Sequence, residues 1–288
     1  MSPLRLVILV TLAMLAFAGN SLLCRMALKH TSIDAASFTT VRMLSGACML
    51  WLVVRLRRGA GSAAGKRAGG NWLSACALFV YATGFSFAYV SMPAATGALL
   101  LFGAVQATMI GYGVVKGERM HALQIVGLAL ALAGLVALML PGLAAPSLRS
   151  SLFMLSAGVA WGVYSLRGKR ETNQGASDPT QVTAGNFIRA VPMALGLSLL
   201  TLQHLSLDRT GLGLAVLSGA LASGLGYAIW YRALPALKAT QAATVQLSVP
   251  VLAALGGVAF IGEAVSAAML LASSAILGGI ALVILQKK

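Results

Sequence analysis

The sequence predicts an all-α membrane protein whose ten transmembrane helices form two inverted five-helix repeats. Three observations carry this. Hydrophobic residues make up 59% of the 288, and only 9% are charged, against about a quarter in soluble domains. The apolar residues fall into stretches of about 18–22, long enough to cross a roughly 30 Å hydrocarbon core as helices. The last third of the chain also repeats the first half. Ala95-Thr96, Gly113-Val114, Gly117-Glu118, Leu132-Ala133-Gly134 and Leu140 return as Ala239-Thr240, Gly257-Val258, Gly262-Glu263, Leu277-Gly278-Gly279 and Leu285. The offset is 144 up to Val114 and 145 from Gly117, so one inserted residue separates two self-consistent registers. A β-barrel is excluded, because its strands alternate polar and apolar over about ten residues and nothing here does.

The segments are taken in order. Segment one, 4–24, has Arg5 at its start and carries Asn20. Its Ala16-Phe17-Ala18 resembles a small-residue cleavage site. Gly19-Asn20 nevertheless has a counterpart at Gly162-Val163, so the segment is read as a retained helix. Segment two, 34–54, holds Arg42; segment three, 71–90, places Tyr81, Phe85 and Tyr89 at four-residue spacing on one face. Segment four, 95–115, carries Gln106 and ends at Gly117-Glu118. Segment five, 121–140, has almost no polar atoms. After the Pro/Gly/Ser-rich connection 141–150 the second set begins. Segment six, 150–167, carries Trp161 and Tyr164; segment seven, 181–201, carries Arg189; segment eight, 211–231, carries Tyr227, Trp230 and Tyr231. Segment nine, 239–261, carries Gln246, Ser248 and Pro250 and ends at Gly262-Glu263. Segment ten, 266–285, is as apolar as segment five, which leaves both as scaffold or as the surface of a homodimer. The expected repeats are 1–145 and 146–288. Five helices is an odd number, so the second repeat enters the membrane from the opposite side, the arrangement from which many transporters build a pathway between halves.

The net charge of +15 orients the chain. With a cytoplasmic N-terminus, that side holds Arg5, the 55–67 island, Lys116, Arg119, Arg167, Lys169, Arg170, Arg232, Lys238 and the final lysines; the other side holds Arg25, Lys29, Arg149 and Arg209. This is the positive-inside asymmetry, with both termini cytoplasmic. The basic residues serve orientation and anionic lipid rather than nucleic acid. Trp51, Trp72, Trp230 and Tyr231 fall near segment ends, where an interfacial aromatic belt is expected. Cys24, Cys48 and Cys76 show no metal-like spacing and read as small buried hydrophobes. No catalytic motif, metal cluster, cofactor loop or phosphate loop is found, so the chain reads as no enzyme.

Polar groups inside a membrane are expensive and therefore informative. Arg42 and Arg189 occupy matched repeat positions, with gating, structural or anion-recognising roles all open. Glu118 and Glu263 sit at helix ends, where the expected role is to pin the Gly-Glu turns beside the next helix N-terminus. Pro250 removes a backbone hydrogen bond and can kink or hinge its helix. Asn20, Gln106, Gln246 and Ser248, with Tyr81, Phe85, Tyr89, Trp161, Tyr164 and Tyr227, are the candidate substrate-lining set. An aromatic-lined, mostly uncharged pocket suits an amphipathic organic molecule rather than a hydrated ion.

In these elements the chain resembles the EamA family of the drug/metabolite transporter superfamily. The likeness rests on Gly19-Asn20, Arg42, Pro93 with Ala95-Thr96, Gly117-Glu118, Trp161-Gly162, Arg189, Pro250 and Gly262-Glu263, and covers nearly the whole chain. The resemblance implies export of small metabolites by alternating access across a bacterial inner membrane, through a cavity between helices one, three, four, six, eight and nine. One similar branch exports aromatic amino acids. An exporter of drugs or other metabolites, or a passive channel, is the alternative.

Overall fold

The computed structural model describes residues 2–58, 69–117, 121–139, 146–173, 178–237, 245–246, 248–264 and 266–285. Ten helices span them: α1 (Pro3–His30), α2 (Ala35–Arg58), α3 (Trp72–Tyr89), α4 (Ala94–Val115), α5 (Ala122–Met139), α6 (Leu148–Asn173), α7 (Pro179–Leu200), α8 (Arg209–Ala233), α9 (Ser248–Ile261) and α10 (Ala267–Leu285). No strand occurs among the described residues. Six of the helices (α1, α2, α3, α4, α7 and α8) are long and apolar enough to cross a membrane. Glu118 and the Ala239-Thr240 end of segment nine lie outside the described residues.

Short polar side chains start the helices. Asn71 accepts from the Ser74 amide at 2.8 Å, Asp178 from Thr180 at 3.2 Å and Asp208 from Gly211 at 2.9 Å; Asp34 takes the Ala36 and Ser37 amides of α2. Each satisfies amides that the first turn leaves without helical partners. The two repeat corners share a glycine at positive φ, Gly117 at 89° and Gly262 at 67°, a region where a Cβ is strained. That explains the glycine in both Gly-Glu turns.

Most of the larger helix pairings survive exchanging each of the first five for its counterpart in the second five. α2 packs on α7, α4 on α9 and α5 on α10. The pair α3–α6 has its mate in α8–α1, α4–α6 in α9–α1, and α3–α7 in α8–α2. α5 and α10 pack chiefly on each other, at the edge of the bundle. α1 runs through the middle, touching α8, α9, α3 and α4.

Among the described residues, two helices are not α-helical throughout. α8 contains a π-helical stretch, Ser218–Leu225, and α9 ends in another, Gly257–Ile261. Such stretches are rare and concentrate at functional sites. Several expectations change here. Only Cys24 is buried; Cys48 and Cys76 are exposed on the outer faces of α2 and α3. Trp51 and Trp72 are exposed as belt residues should be, but Trp230 and Tyr231 are buried, because this face of α8 packs inward on Phe17 and the core. α1 extends to His30 and α6 to Asn173, beyond the apolar segments, since polar last turns still satisfy their own backbone.

Candidate functional site

The centre of the bundle is a cluster of aromatic rings closed around one arginine. α3 supplies Tyr81, Phe85 and Tyr89, whose i, i+4 spacing puts them on one face. α6 supplies Trp161 and Tyr164, α8 supplies Tyr227 and Trp230, α1 supplies Phe17, and α7 supplies Phe187. Ring centroids lie 4.8 Å apart for Tyr81–Trp161, 5.0 Å for Trp161–Tyr227 and 5.5 Å for Trp161–Tyr164. Phe17 meets Trp161, Tyr227 and Trp230 edge-on. The rings thus link helices from both halves in the range where aromatic pairs attract.

Arg42 enters this cluster from α2 and is 0% exposed. Its guanidinium carbon lies 5.2 Å from the Tyr81 ring centroid and 4.9 Å from that of Phe85. Nε donates to Ser223 Oγ at 3.2 Å and Nη2 to the Tyr81 hydroxyl at 3.1 Å, while Nη1 has no partner. The Tyr227 hydroxyl is likewise buried and without a partner. Asn20 completes the polar centre, donating to the Tyr81 hydroxyl at 3.3 Å and accepting from Ser218 Oγ at 2.7 Å. Arginine at mid-membrane costs roughly 2.5–3.5 kcal/mol on insertion scales. Two hydrogen bonds to a charged group, at about 1.5–3 kcal/mol each, and the ring faces offset that cost. The fold can therefore hold the charge, and one donor edge remains unused.

No described acidic residue neutralises Arg42. Glu263 pairs with Arg25, and Glu171 with Arg167 and Asn71. Asp34, Asp178 and Asp208 cap helices. No group of three His, Cys, Asp or Glu side chains suited to a metal occurs among the described residues.

The candidate set divides. Asn20, Tyr81, Phe85, Tyr89, Trp161, Tyr164 and Tyr227 come together with Arg42. Gln106 is buried on another face of α4, at a small void shared with Leu128 and Ala131 of α5 and Ile280 of α10. Gln246 is half-buried; Ser248 donates to the Val245 carbonyl three residues before it; Pro250 is buried in α9. Arg189, the repeat partner of Arg42, sits midway along α7 but stays out of the aromatic centre, donating to the Gly69 carbonyl before α3 and to the Gly185 carbonyl at 2.9 Å each. Glu263 does more than pin its own turn. Oε1 accepts from Arg25 at 2.9 Å and Oε2 accepts from the Ala94 amide, the N-terminus of α4, at 2.7 Å. The neighbour it caps is α4 rather than the following α10. Phe17, Phe187, Ser218 and Ser223 complete the centre and were absent from the candidate set. Phe17 lies three residues before Asn20, a same-face spacing that a helical wheel would have flagged.

One end of the bundle is tied shut above this centre. Arg25 also donates to the Tyr89 and Val90 carbonyls at 3.0 Å each, and Lys29 to the Ile261 carbonyl at 3.3 Å. Beside this latch opens a cavity of about 440 Å³, lined by residues that include Asp34, Phe87, Arg149, Phe153 and His204.

Comparison with known proteins adds four findings. The sequence pattern of the EamA-like transporter family matches residues 148–285. An uncharacterized protein of Pseudomonas aeruginosa is 54% identical over 97% of this chain and 94% of its own. The threonine/homoserine exporter RhtA of Salmonella typhimurium is 35% identical, and that of Escherichia coli K12 34% identical, over 43% of this chain; the match spans 41% of each relative's length. A solved crystal structure, 20% identical over 96% of this chain and 97% of its own, superposes with a TM-score of 0.66, which supports the fold alone.

Proposed function

The chain belongs to the EamA family of the drug/metabolite transporter superfamily, a multi-pass membrane transporter of small metabolites, and from that premise we propose that it exports amino acids, aromatic and other amphipathic ones included, across the bacterial inner membrane by alternating access. The observation that carries this is the central cluster of Tyr81, Phe85, Trp161, Tyr164 and Tyr227, shared between the halves around Asn20 and Arg42. Aromatic walls with a few fixed polar groups select an organic body with a polar end. The likeness to threonine/homoserine exporters supports the amino-acid class.

In this reading 1–145 and 146–288 are the two exchanging repeats and both termini are cytoplasmic. The Arg25–Glu263 end then faces outward, and the structure corresponds to a state closed on that side. Unlatching it while the opposite end closes would pass the substrate outward. Arg42 joins the substrate-binding set, whereas Arg189, Glu263 and Pro250 act on helix positions. Gln106 lies toward α5 and α10, a pair suited to scaffold or a homodimer surface. Efflux of labelled amino acids from proteoliposomes, with Trp161→Ala beside the unaltered chain, tests the reading. Saturable efflux that the substitution weakens supports it; unsaturating flux would favour a channel.

A further inference from the structure

Two orphaned polar atoms face the middle of the bundle, and both are of the kind a carboxylate satisfies. Arg42 Nη1 and the Tyr227 hydroxyl are hydrogen-bond donors, both fully buried and both without a partner. Arg42 Nε and Nη2 each make one hydrogen bond, to Ser223 and Tyr81, which fixes the plane of the guanidinium and leaves its Nη1 side unused. A buried donor left unsatisfied is costly, and a buried cation without an anion more so. Unsatisfied groups of this kind are rare in native proteins and call for an explanation.

Building on the amino-acid reading, we infer that Arg42, with the Tyr227 hydroxyl, receives the substrate's carboxylate and that no comparable group receives its ammonium. The second half follows from the placement of the acids. Every described Asp and Glu is committed at a helix end, and the Asn20 carbonyl oxygen already accepts from Ser218. The recognised class is therefore the monocarboxylate with an apolar or aromatic body. Free amino acids, their N-acetyl derivatives and the matching 2-keto acids share it; carboxyl esters and decarboxylated amines do not. Binding needs the rings to part, so the carboxylate takes over a hydrogen-bond position that is closed in this conformation.

Binding and transport are measured separately to test this. The full chain in detergent is heated with phenylalanine, N-acetylphenylalanine, phenylpyruvate, phenylalanine methyl ester or phenethylamine, and the same compounds compete in phenylalanine counterflow. The three carboxylates are expected to stabilise the protein and compete comparably, with the ester and the amine at least about tenfold weaker, the loss expected for one hydrogen bond to a charged group. Tyr227→Phe removes only an unpartnered hydroxyl. It is expected to keep the melting temperature of the unliganded protein and to weaken all three carboxylates while leaving the ester unchanged. Ester or amine binding as tightly as the acids overturns the inference, as does a Tyr227→Phe protein that binds acids normally or a panel in which no acid stabilises the protein. Acid-selective stabilisation without counterflow would keep the inference and sink the amino-acid export reading; counterflow indifferent to the carboxyl group would do the reverse.

Discussion

Arg25 and Glu263, 238 positions apart in the chain, meet side chain to side chain at 2.9 Å and close one end of the bundle. Each also holds something else. Arg25 gathers the last carbonyls of α3, and Glu263 caps the first turn of α4. The pair thus joins α1, α3, α4 and α9 at a single point.

Both side chains are about one-tenth exposed, so truncating one leaves a nearly buried charge. Glu263→Ala is expected to cost about 3–5 kcal/mol of stability. Exchanging the charges, Arg25→Glu with Glu263→Arg, should not restore it, because an arginine cannot cap the Ala94 amide and a glutamate cannot donate to the Tyr89 carbonyl. Thermal unfolding of the three proteins in detergent checks this. A charge-exchanged protein as stable as the parent would show that the ion pair alone matters.

Gly219 in the π-helical stretch of α8 lies against α2 where Arg42 sits. A Cβ there would collide with the Ser45 side chain and the Arg42 backbone, whereas at Gly19 it would meet nothing within 4 Å. Gly219→Ala is expected to lower both the melting temperature and transport, since moving the Arg42 backbone displaces its guanidinium. Gly19→Ala should be neutral or slightly stabilising, as alanine is favoured in helix interiors by roughly 1 kcal/mol. Equal effects of the two substitutions on melting temperature would contradict the close α2–α8 crossing.

Arg189 tests whether the matched arginines share a role. It holds the Gly69 carbonyl before α3 rather than the aromatic centre. Arg189→Ala is therefore expected to leave the KM for export within about twofold, inside the 0.5 kcal/mol scatter of surface substitutions. The change should instead loosen the start of α3, read as faster amide exchange around Asn71 and Ser74. A tenfold rise in KM would place Arg189 in the pathway.

Asp208 caps α8 and also accepts from the Ser32 amide at 3.0 Å, tying α8 to the end of α1. The Gly211 amide, with further amides and the Thr31 hydroxyl, holds its carboxyl below the usual carboxylate value. A lowered folded-state value means the contribution is present above the unfolded value, about 3.8, and fades as pH falls through the folded one. The melting temperature of the parent should therefore drop more steeply than that of Asp208→Asn below about pH 4. Parallel acid profiles would remove Asp208 from the account.

The helices and the repeat were legible in the sequence because membrane helices announce themselves by length and duplication leaves matched corners. The aromatic faces of α3 and α6 were legible for the same reason, since fixed spacing on a regular helix fixes direction. Ser218 and Ser223 were not. Five residues apart, they diverge on an α-helix and share a face only because α8 turns π-helical between them, bonding i to i+5. The contrast between Arg42 and Arg189 was hidden too, because equivalent repeat positions meet different neighbours once the halves pack. Glu263 was legible as a corner but not as a latch, its partners lying on α1 and α4.

The central claim is tested most directly by saturable efflux of labelled phenylalanine and threonine from proteoliposomes holding the purified chain. The account predicts saturation for at least one of them and a several-fold loss with Trp161→Ala; linear flux, or no movement of any amino acid across a full panel, would contradict it.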